Sequence, residues 1–472
     1  MKKLIGLAFI TILCSGLTLA QNDLFTSQSG VDNDIDAYQL GVNNDADMYQ
    51  QGYMNFGEID QTGFDNVLFT DQFGNENGLN IDQWGVTNYA NVDQDGNGNF
   101  AQIDQSGMDH VAYTTQDGND NDAKVFQDQR SGTLGWLESY VNQIGDDNDA
   151  LVYQYDDWSV STINQTGNEN HSYVEQTGFY SQSVINQSGN ENSADVEQHD
   201  MTHWSEILQE GEGNYSEVEQ VDESQWSNIE QHGVINNAYV NQSGFTQESY
   251  VGQWGADNDA DVYQSGESHG SIVMQTNAGV TTLASGNTAY VEQHDYNNWS
   301  EVYQNGYYND GNVRQYDESQ YSLLNQDGEG NFADVRQYDL GQVSDLSQIG
   351  TDNSANVTQY GEGNYSIATQ EGGDNEAEIL QSGVENSSDL YQLGNGNTAD
   401  ITQSDFGQIS DVDSWGDYNS VEVDQMGLGQ NSDVFQLGNG NNADVWQQGA
   451  FNVSDVNQYG DGNNANVFQD SF

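Results

Sequence analysis

The residues of this chain with the clearest potential for chemistry are carboxylates in a calcium-binding spacing. Asp93, Asp95, Asn97, Gly98 and Asp104 follow most of the spacing of an EF-hand loop, with Asp in place of the usual final Glu. That loop needs a helix on each side, whereas the residues around it alternate with the two-residue period of strands. We therefore expect no cofactor and no dedicated metal site, with weak Ca²⁺ binding at the surface left open.

Two histidines have the spacing of a metal-binding pair. His199 and His203 are four residues apart, and such a pair meets on one face only when the segment is helical. These residues fall in a turn between two strand-like segments. We therefore expect them to be surface residues that bind no metal.

The titratable residues do not gather where an active site could form. Long loops between the rungs of polysaccharide-active β-helices build catalytic clefts, but this chain has only two short irregular inserts. They hold Arg130 and Glu138 in the first and Glu292 in the second. Acidic pairs elsewhere are spread evenly, whereas catalysis needs groups that converge on one site. We predict no catalytic residue and no enzymatic activity.

An eleven-residue repeat must position all of these side chains. Residues 437–469 read LGNGNNADVWQ, QGAFNVSDVNQ and YGDGNNANVFQ, with Gly at position 2, Asn at 5, Ala or Ser at 7, Val at 9 and Gln at 11. Side chains two residues apart in a strand share a face, so Asn441, Ala443, Val445 and Gln447 should point the same way. Each unit is predicted to be a four-residue turn followed by a strand of seven residues.

Gln at position 11 recurs along nearly the whole chain. It gives forty rungs from Gln28 to Gln469, of which only Ser414 is not Gln. The spacing lengthens twice, between Gln127 and Gln143 and between Gln275 and Gln293, so that three blocks result. The predicted segments are a signal peptide at 1–20, repeat blocks at 21–127, 143–275 and 293–472, and irregular inserts at 128–142 and 276–292.

The repeat predicts an all-β fold, a β-solenoid with two strands in each coil of about 22 residues and about twenty stacked coils. Identical residues would then lie ~4.8 Å apart along the axis, where Gln and Asn amides can hydrogen-bond in columns. The predicted ladder residues are Gln28, Gln39, Gln50, Gln83, Gln94, Gln143, Gln154, Gln264, Gln293, Gln359, Gln436, Gln447, Gln458, Gln469, Asn44, Asn88, Asn441 and Asn463. The inserts could be loops inside one solenoid or joints between three. We expect the C-terminal edge near Phe472 to be uncapped and able to template another chain.

Composition and charge exclude several classes of partner. The chain has no proline, which fits a backbone whose N–H groups are needed in ladders, and its formal net charge is −70. Nucleic acid and anionic membranes are therefore not expected partners. Asp is frequent at the outward position 8, for example at Asp47, Asp195, Asp334 and Asp444. We expect these carboxylates to confer solubility and to restrain premature aggregation.

The N-terminus has the features of a secretory signal peptide. Lys2 and Lys3 precede an apolar run, and Ala20 ends a small-residue cleavage motif. The alternative, a lipoprotein anchored through Cys14, is disfavoured by Leu13, which stands where a small residue is normally required. Cleavage would leave an exported chain with no cysteine, and no later segment is long and apolar enough for membrane insertion.

The pattern Q-x-G-x-x-N-x-A-x-V-x-Q, as in residues 436–447 and 458–469, resembles the curlin repeat of curli fibre subunits. The resemblance implies a secreted structural subunit of functional amyloid fibres in the biofilm matrix, at the surface of a cell with an outer membrane. It implies as partners further copies of the chain, other curlin subunits and a curli-type outer-membrane secretion apparatus. The rung Gln and turn Asn would then form the stacked polar ladders.

The chain also departs from familiar curlins. It has about twenty coils rather than about five repeats, and some units place Ser four residues before Gln, as the nucleator-like subunit does. It leaves little room for an N-terminal export-recognition segment. Two hypotheses follow from the sequence: a subunit that polymerises end to end, or a largely monomeric acidic β-solenoid that serves as an adhesin or nucleator, with or without bridging cations.

Overall fold

A computed structural model describes residues 21–129, 135–277 and 286–471, and it shows a solenoid built from forty strands. The predicted signal peptide at 1–20, Arg130 in the first insert and Phe472 lie outside the described residues, as do residues 131–134 and 278–285. Within the described ranges no residue is helical, so none of them forms a helix that is long and apolar enough to cross a membrane.

The strands follow one another at the interval of the sequence repeat. The first twenty are β1 (Asp23–Val31), β2 (Asp34–Val42), β3 (Asp45–Tyr53), β4 (Phe56–Phe64), β5 (Val67–Asn75), β6 (Gly78–Val86), β7 (Tyr89–Asn97), β8 (Phe100–Met108), β9 (Val111–Asn119), β10 (Asp122–Asp128), β11 (Glu138–Asp146), β12 (Asp149–Tyr155), β13 (Val160–Asn168), β14 (His171–Phe179), β15 (Gln182–Asn190), β16 (Ser193–Met201), β17 (Trp204–Glu212), β18 (Tyr215–Glu223), β19 (Trp226–Val234) and β20 (Asn237–Phe245).

The other twenty continue at the same interval. They are β21 (Glu248–Ala256), β22 (Asp259–Glu267), β23 (Gly270–Thr276), β24 (Thr288–Tyr296), β25 (Trp299–Tyr307), β26 (Asp310–Gln315), β27 (Tyr321–Glu329), β28 (Phe332–Gln337), β29 (Val343–Thr351), β30 (Ser354–Glu362), β31 (Tyr365–Gly373), β32 (Glu376–Val384), β33 (Ser387–Asn395), β34 (Thr398–Phe406), β35 (Ile409–Trp415), β36 (Ser420–Leu428), β37 (Asn431–Leu437), β38 (Asn442–Ala450), β39 (Val453–Tyr459) and β40 (Asn464–Asp470).

Two parallel sheets of twenty strands face each other across the core. The odd-numbered strands form one sheet and the even-numbered strands form the other, because each strand pairs with the strands two before and two after it. One odd and one even strand make a coil, so the solenoid has about twenty coils, as predicted. The register places each residue beside its equivalent one coil away, for example Gln28 beside Gln50.

The core is thin and continuous, and it consists of the inward residues of both sheets. Ala or Ser at position 7 and Val, Ile or Leu at position 9 are buried in successive coils, from Ala46 to Val456. Beyond the first insert, the odd sheet contributes a column of Ser at position 7, which begins at Ser139 and reaches Ser454, and the even sheet contributes mostly Ala. Each coil buries little apolar surface, so the stability of the fold accumulates through contacts between neighbouring coils.

The turns are shorter than the four residues predicted from the sequence. Most strands have nine residues because positions 1 to 3 of the next unit continue the ladder, which leaves positions 4 and 5 at the corner. The backbone at position 2 has a positive φ, and the residue there is Gly in most units. Gly328 has φ +131, and a Cβ atom there would lie 1.9 Å from the carbonyl oxygen of Gly350 in the next coil. Position 4 has a left-handed backbone that other residues tolerate, as at Asp352 with φ 55.

Both sheets continue past the two inserts. β9 pairs with β11 and β10 with β12 across the first insert, and β22 pairs with β24 and β23 with β25 across the second. Strand β11 begins at Glu138 and β24 at Thr288, so the last residues of each insert already belong to a strand. The described strands on either side of each insert therefore stack without interruption.

Candidate functional site

The Gln residues at position 11 form two hydrogen-bonded columns inside the solenoid, one on each sheet. In each step the Nε2 of one Gln donates to the Oε1 of the Gln in the next coil, at 2.7–3.0 Å. The even-sheet column runs from Gln39 to Gln469 without interruption. In the odd sheet it is broken at Ser414, whose hydroxyl donates to Gln436 Oε1 at 3.1 Å. We call these columns the Gln ladders.

From Gln39 onward, each Gln of the ladders also connects the two sheets. Its Nε2 donates a second hydrogen bond to a backbone carbonyl at the start of the facing strand, as Gln50 does to Asp34 (3.2 Å) and Gln447 to Asn431 (3.0 Å). One amide therefore satisfies a side chain along the axis and a backbone group across the core. Such fully paired buried polar groups specify one arrangement, because a slip in register would leave them unpaired.

The predicted ladder residues differ in exposure according to their coil. Gln28 is exposed and Gln39, Gln469 and Asn463 are half-buried, because all four lie in the outermost coils of the described residues. The others are buried and lie along the two Gln ladders or at the turns: Gln50, Gln83, Gln94, Gln143, Gln154, Gln264, Gln293, Gln359, Gln436, Gln447, Gln458, Asn44, Asn88 and Asn441.

Asn at position 5 forms a second kind of column at the corners, which we call the Asn ladder. Asn44 Nδ2 donates to the carbonyls of Leu40 in its own turn and Gly63 in a neighbouring turn, at 3.2 and 3.3 Å. Its Oδ1 accepts the backbone N–H of Asn66 in the next coil at 3.2 Å. One side chain thus closes its own turn and fixes the turn above it.

Three histidines occupy the Asn position, and for His203 the sequence interpretation was wrong. His110, His203 and His269 are buried rather than exposed, and His199 alone of the proposed pair is partly exposed. They are buried because the side chain at position 5 of the repeat points into the corner, whichever residue occupies it. The spacing of four residues to His199 concealed this, although counting back from Gln209 would have revealed it.

Histidine at this position reproduces the hydrogen bonds of Asn only when it is neutral. His269 Nε2 donates to the carbonyl of Ser265 at 3.1 Å, and Nδ1 accepts the backbone N–H of Asn298 at 3.3 Å. Burial lowers the pKa of His269, and nearby His294 lowers it further, while hydrogen bonding at Ser265 and the charge of Asp295 oppose the shift. A proton on Nδ1 would face the N–H of Asn298.

We expect the variant His269→Asn to become more stable than the native chain in acid. A lowered pKa in the folded state provides stability that is complete above the unfolded value of about 6.5 and is lost as the pH falls through the folded value. Asn makes the same bonds without titrating. Amide exchange of β23–β25 at pH 7.5 and 5.5 measures the difference in opening free energy between the variant and the native chain. As the pH falls, this difference should grow by up to ~1.4 kcal/mol per pH unit in favour of the variant. A difference that does not change with pH would refute this role of His269.

The EF-hand-like residues are dispersed over two faces. Asp93 and Asp95 belong to β7 in the odd sheet, whereas Asp104 belongs to β8 in the even sheet, and both sheets point these side chains outward. They therefore cannot converge on one ion. In the part of the chain that the structure describes, no group of three or more His, Cys, Asp or Glu could hold a metal ion.

The outer faces carry columns of like charge. Asp389, Asp411, Asp433 and Asp455 occupy equivalent positions in consecutive coils of the odd sheet. Burial raises the pKa of Asp433, and the neighbouring carboxylates of Asp411 and Asp455 raise it further. Stacking therefore costs electrostatic energy at neutral pH, which salt or cations reduce.

One predicted outward carboxylate is buried instead. Asp334 is 7% exposed because Arg314 and Arg336, on β26 and β28, both pair with it, with Arg314 Nη1 3.1 Å from Oδ1.

Near this cluster, the carboxylate of Glu292 accepts hydrogen bonds from His294 at 2.8 Å and from Tyr316 at 3.0 Å. Burial favours a higher pKa for Glu292, but these bonds outweigh burial and hold its pKa below the usual value.

A further column of carboxylates was missed by the sequence interpretation. Asp replaces Gly at position 2 in several turns, and there it joins neighbouring coils. Asp295 Oδ2 accepts the backbone N–H of Asp317, Asp317 Oδ2 that of Asp339, and Asp339 Oδ2 that of Gly361, at 3.2, 3.1 and 2.8 Å. The recurrence of Asp at intervals of 22 residues was the signal for this column.

Comparison with known protein families is consistent with this geometry. Six segments match the family model described as the curlin associated repeat: residues 74–107, 99–128, 145–178, 255–294, 350–379 and 372–404. These segments include parts of all three repeat blocks. No curated protein matches the chain.

Proposed function

Because the chain is a repeat protein of the curlin family with a β-solenoid fold, we propose that it is a structural subunit of curli-like amyloid fibres in an extracellular biofilm matrix. Fibres would grow when the coils of one copy stack on the coils of the next. The observation that carries this proposal is the uniformity of the contacts between coils. The same Gln, Asn and Gly positions join neighbouring coils throughout the described solenoid.

These contacts are suited to joining copies because they need no partner of another kind. Any coil presents donors on one side and acceptors on the other, as Gln187 does when it donates to Gln209 and accepts from Gln165. Within the described residues, β1 and β2 pair on one edge only, as do β39 and β40. Unpaired edges of this kind template further strands.

Export is the second element of the proposal. The signal peptide at 1–20 and a curli-type outer-membrane secretion apparatus would deliver the chain unfolded to the cell surface. The absence of cysteine after residue 20 suits this route, because no disulfide has to form before assembly. Partners would be other copies of the chain and related curlin subunits.

The columns of carboxylates support a second candidate function, an acidic adhesin or nucleator that stays largely monomeric. Repulsion between stacked groups such as Asp411 and Asp433 opposes the addition of a further coil of the same kind. Millimolar Ca²⁺ would screen that repulsion and favour assembly, which makes the cation the variable that separates the two candidates.

We expect the purified chain to assemble with a lag that preformed seeds remove. Thioflavin T fluorescence and sedimentation would follow assembly at neutral pH, with and without millimolar Ca²⁺. Assembly in both conditions supports a fibre subunit, and assembly only with Ca²⁺ supports a cation-bridged assembly. A monomer that persists in both conditions would refute the fibre function.

A further inference from the structure

A groove on the outside of the even sheet combines aromatic rings with carboxylates. It is lined by Asp82, Trp84, Asp104, Phe126 and Tyr153, from β6, β8, β10 and β12, and has a volume of about 480 Å³. We call it the aromatic-acidic groove. It opens on the outer face of the sheet, and only Gln105 and Gln127 of the Gln ladders also contribute to its lining.

The repeat places these side chains in one column. Asp82, Asp104, Phe126 and Tyr153 stand at position 10 of four consecutive coils, so each lies beside the next. The rings of Phe126 and Tyr153 are stacked, with centroids 4.8 Å apart and planes 14° from parallel. The other face of Phe126 is therefore directed toward the carboxylate of Asp104, one coil away.

Space in the groove comes from a small residue in the adjacent column. Trp84 stands at position 1, and the equivalent residue one coil further is Ser106, which also lines the groove. A serine leaves the region between the Trp84 and Phe126 side chains open to solvent. The groove is thus lined by both aromatic rings and carboxylates.

The same sheet shows how a cation is held on such a surface. Lys124 Nζ lies 5.9 Å from the centroid of the Phe100 ring and 2.5 Å from Asp122 Oδ2. Arg314 lies 5.3 Å from the centroid of Tyr290 while it pairs with Asp334. In both cases a ring face and a carboxylate share one positive charge, which is the arrangement that favours organic cations.

Charge favours a cation from outside the chain. The sequence has 76 Asp and Glu residues against six Lys and Arg, so positive ions concentrate at its surface. Burial raises the pKa of Asp82, and the neighbouring Asp104 and Asp60 raise it further; burial also raises the pKa of Asp104. A bound cation would relieve the cost of keeping both groups ionised.

We propose that the aromatic-acidic groove binds a small organic ammonium ion, whose methyl groups contact Phe126 and Trp84 and whose charge is balanced by Asp104 and Asp82. The aromatic rings favour an organic cation over an inorganic one. Ca²⁺ prefers a shell of oxygen ligands and gains nothing from Phe126, whereas an alkylated ammonium gains from both kinds of neighbour.

Tetramethylammonium chloride is the probe, titrated into the full chain against sodium chloride at constant ionic strength. Binding is read from the fluorescence of Trp84, isolated by difference from the Trp84→Phe variant. We expect a saturable signal that sodium does not produce. We expect Phe126→Leu and the nearly isosteric Asp104→Asn each to weaken binding ~10-fold.

Asp400→Asn is the matched control, because it removes one charge from a carboxylate column of the same sheet, between Glu378 and Glu422. It should leave the affinity unchanged. If Asp104→Asn and Asp400→Asn behaved alike, the signal would come from general charge screening and the proposal would fail. It would equally fail if sodium or Ca²⁺ gave the same saturable response. If Phe126→Leu did not fold, Asp104→Asn would still decide between these outcomes.

Discussion

Replacing Gly328 by alanine should lower the free energy of opening of the surrounding coils by ~3 kcal/mol or more. Two costs combine. The backbone of Gly328 has φ +131, which strains any residue with a side chain, and the new Cβ would overlap the Gly350 carbonyl oxygen at 1.9 Å. That oxygen belongs to backbone and cannot move without separating the two coils, so ladder hydrogen bonds would be lost as well.

Amide hydrogen exchange of β27–β29 measures this effect, with Gly341→Ala as the control. Gly341 has φ +68, and among the described residues no atom lies within 4 Å of its added Cβ. Alanine there should cost only ~1 kcal/mol. We therefore expect exchange near Gly328 to accelerate at least tenfold more than exchange near Gly341. Equal effects of the two variants would contradict the close approach of neighbouring turns.

Substituting Gln187 by lysine should destabilise the coils around β15 by ~3–5 kcal/mol. Gln187 is 2% exposed and makes four polar contacts. Its Nε2 donates to the His171 carbonyl at 2.8 Å and to Gln209 Oε1 at 2.9 Å, while its Oε1 accepts from Gln165 and Ser172. An ammonium group would be buried beside two donors that have lost their acceptor.

Gln182→Lys provides the comparison, because Gln182 is an exposed glutamine in the same strand, with its side chain on the outer face. It should change stability by no more than ~0.5 kcal/mol. Amide exchange of β13–β17 gives the stability, and seeded thioflavin T kinetics give assembly. Gln187→Lys should slow assembly sharply and Gln182→Lys should not. Similar effects in both assays would mean that the Gln ladder does not hold the coils together.

The architecture could be predicted because the repeat has two nested periods. Alternation within residues 441–447 defines the inward face, and the 22-residue spacing defines the neighbour of each strand. The all-β solenoid of about twenty coils is confirmed, as is the relation to curlin repeats. A side chain in such a stack meets its own equivalent, so the sequence alone almost determines the contacts along the axis.

Side chains that break the pattern were harder to predict, because their surroundings depend on several coils at once. His203 is buried because the side chain at position 5 always points into the corner. Its spacing of four residues from His199 had led to the prediction that both histidines lie at the surface. Asp334 stands at an outward position and is buried only because Arg314 and Arg336 cover it from its own strand and the adjacent one. Neither environment can be derived from one unit alone.

The turns are also shorter than the repeat of one unit could indicate. Gly at position 2 is typical of a turn, so the prediction ended each strand before it. In the structure the backbone at Gly328 has a positive φ and still continues the parallel ladder beside Gly350. The reason is the close stacking of identical turns, which one unit cannot reveal.

X-ray diffraction from oriented fibres of the full chain is the most direct test of assembly by stacked coils. Strands that run across the fibre, with coils stacked along it, predict a strong reflection at ~4.8 Å on the meridian, parallel to the fibre axis. If one copy stacks on the next as coils stack within it, the narrow width of this reflection should correspond to a regular repeat that extends over a length greater than a single solenoid. Fibres whose ~4.8 Å reflection lay on the equator, or a chain that formed no fibres, would contradict the account.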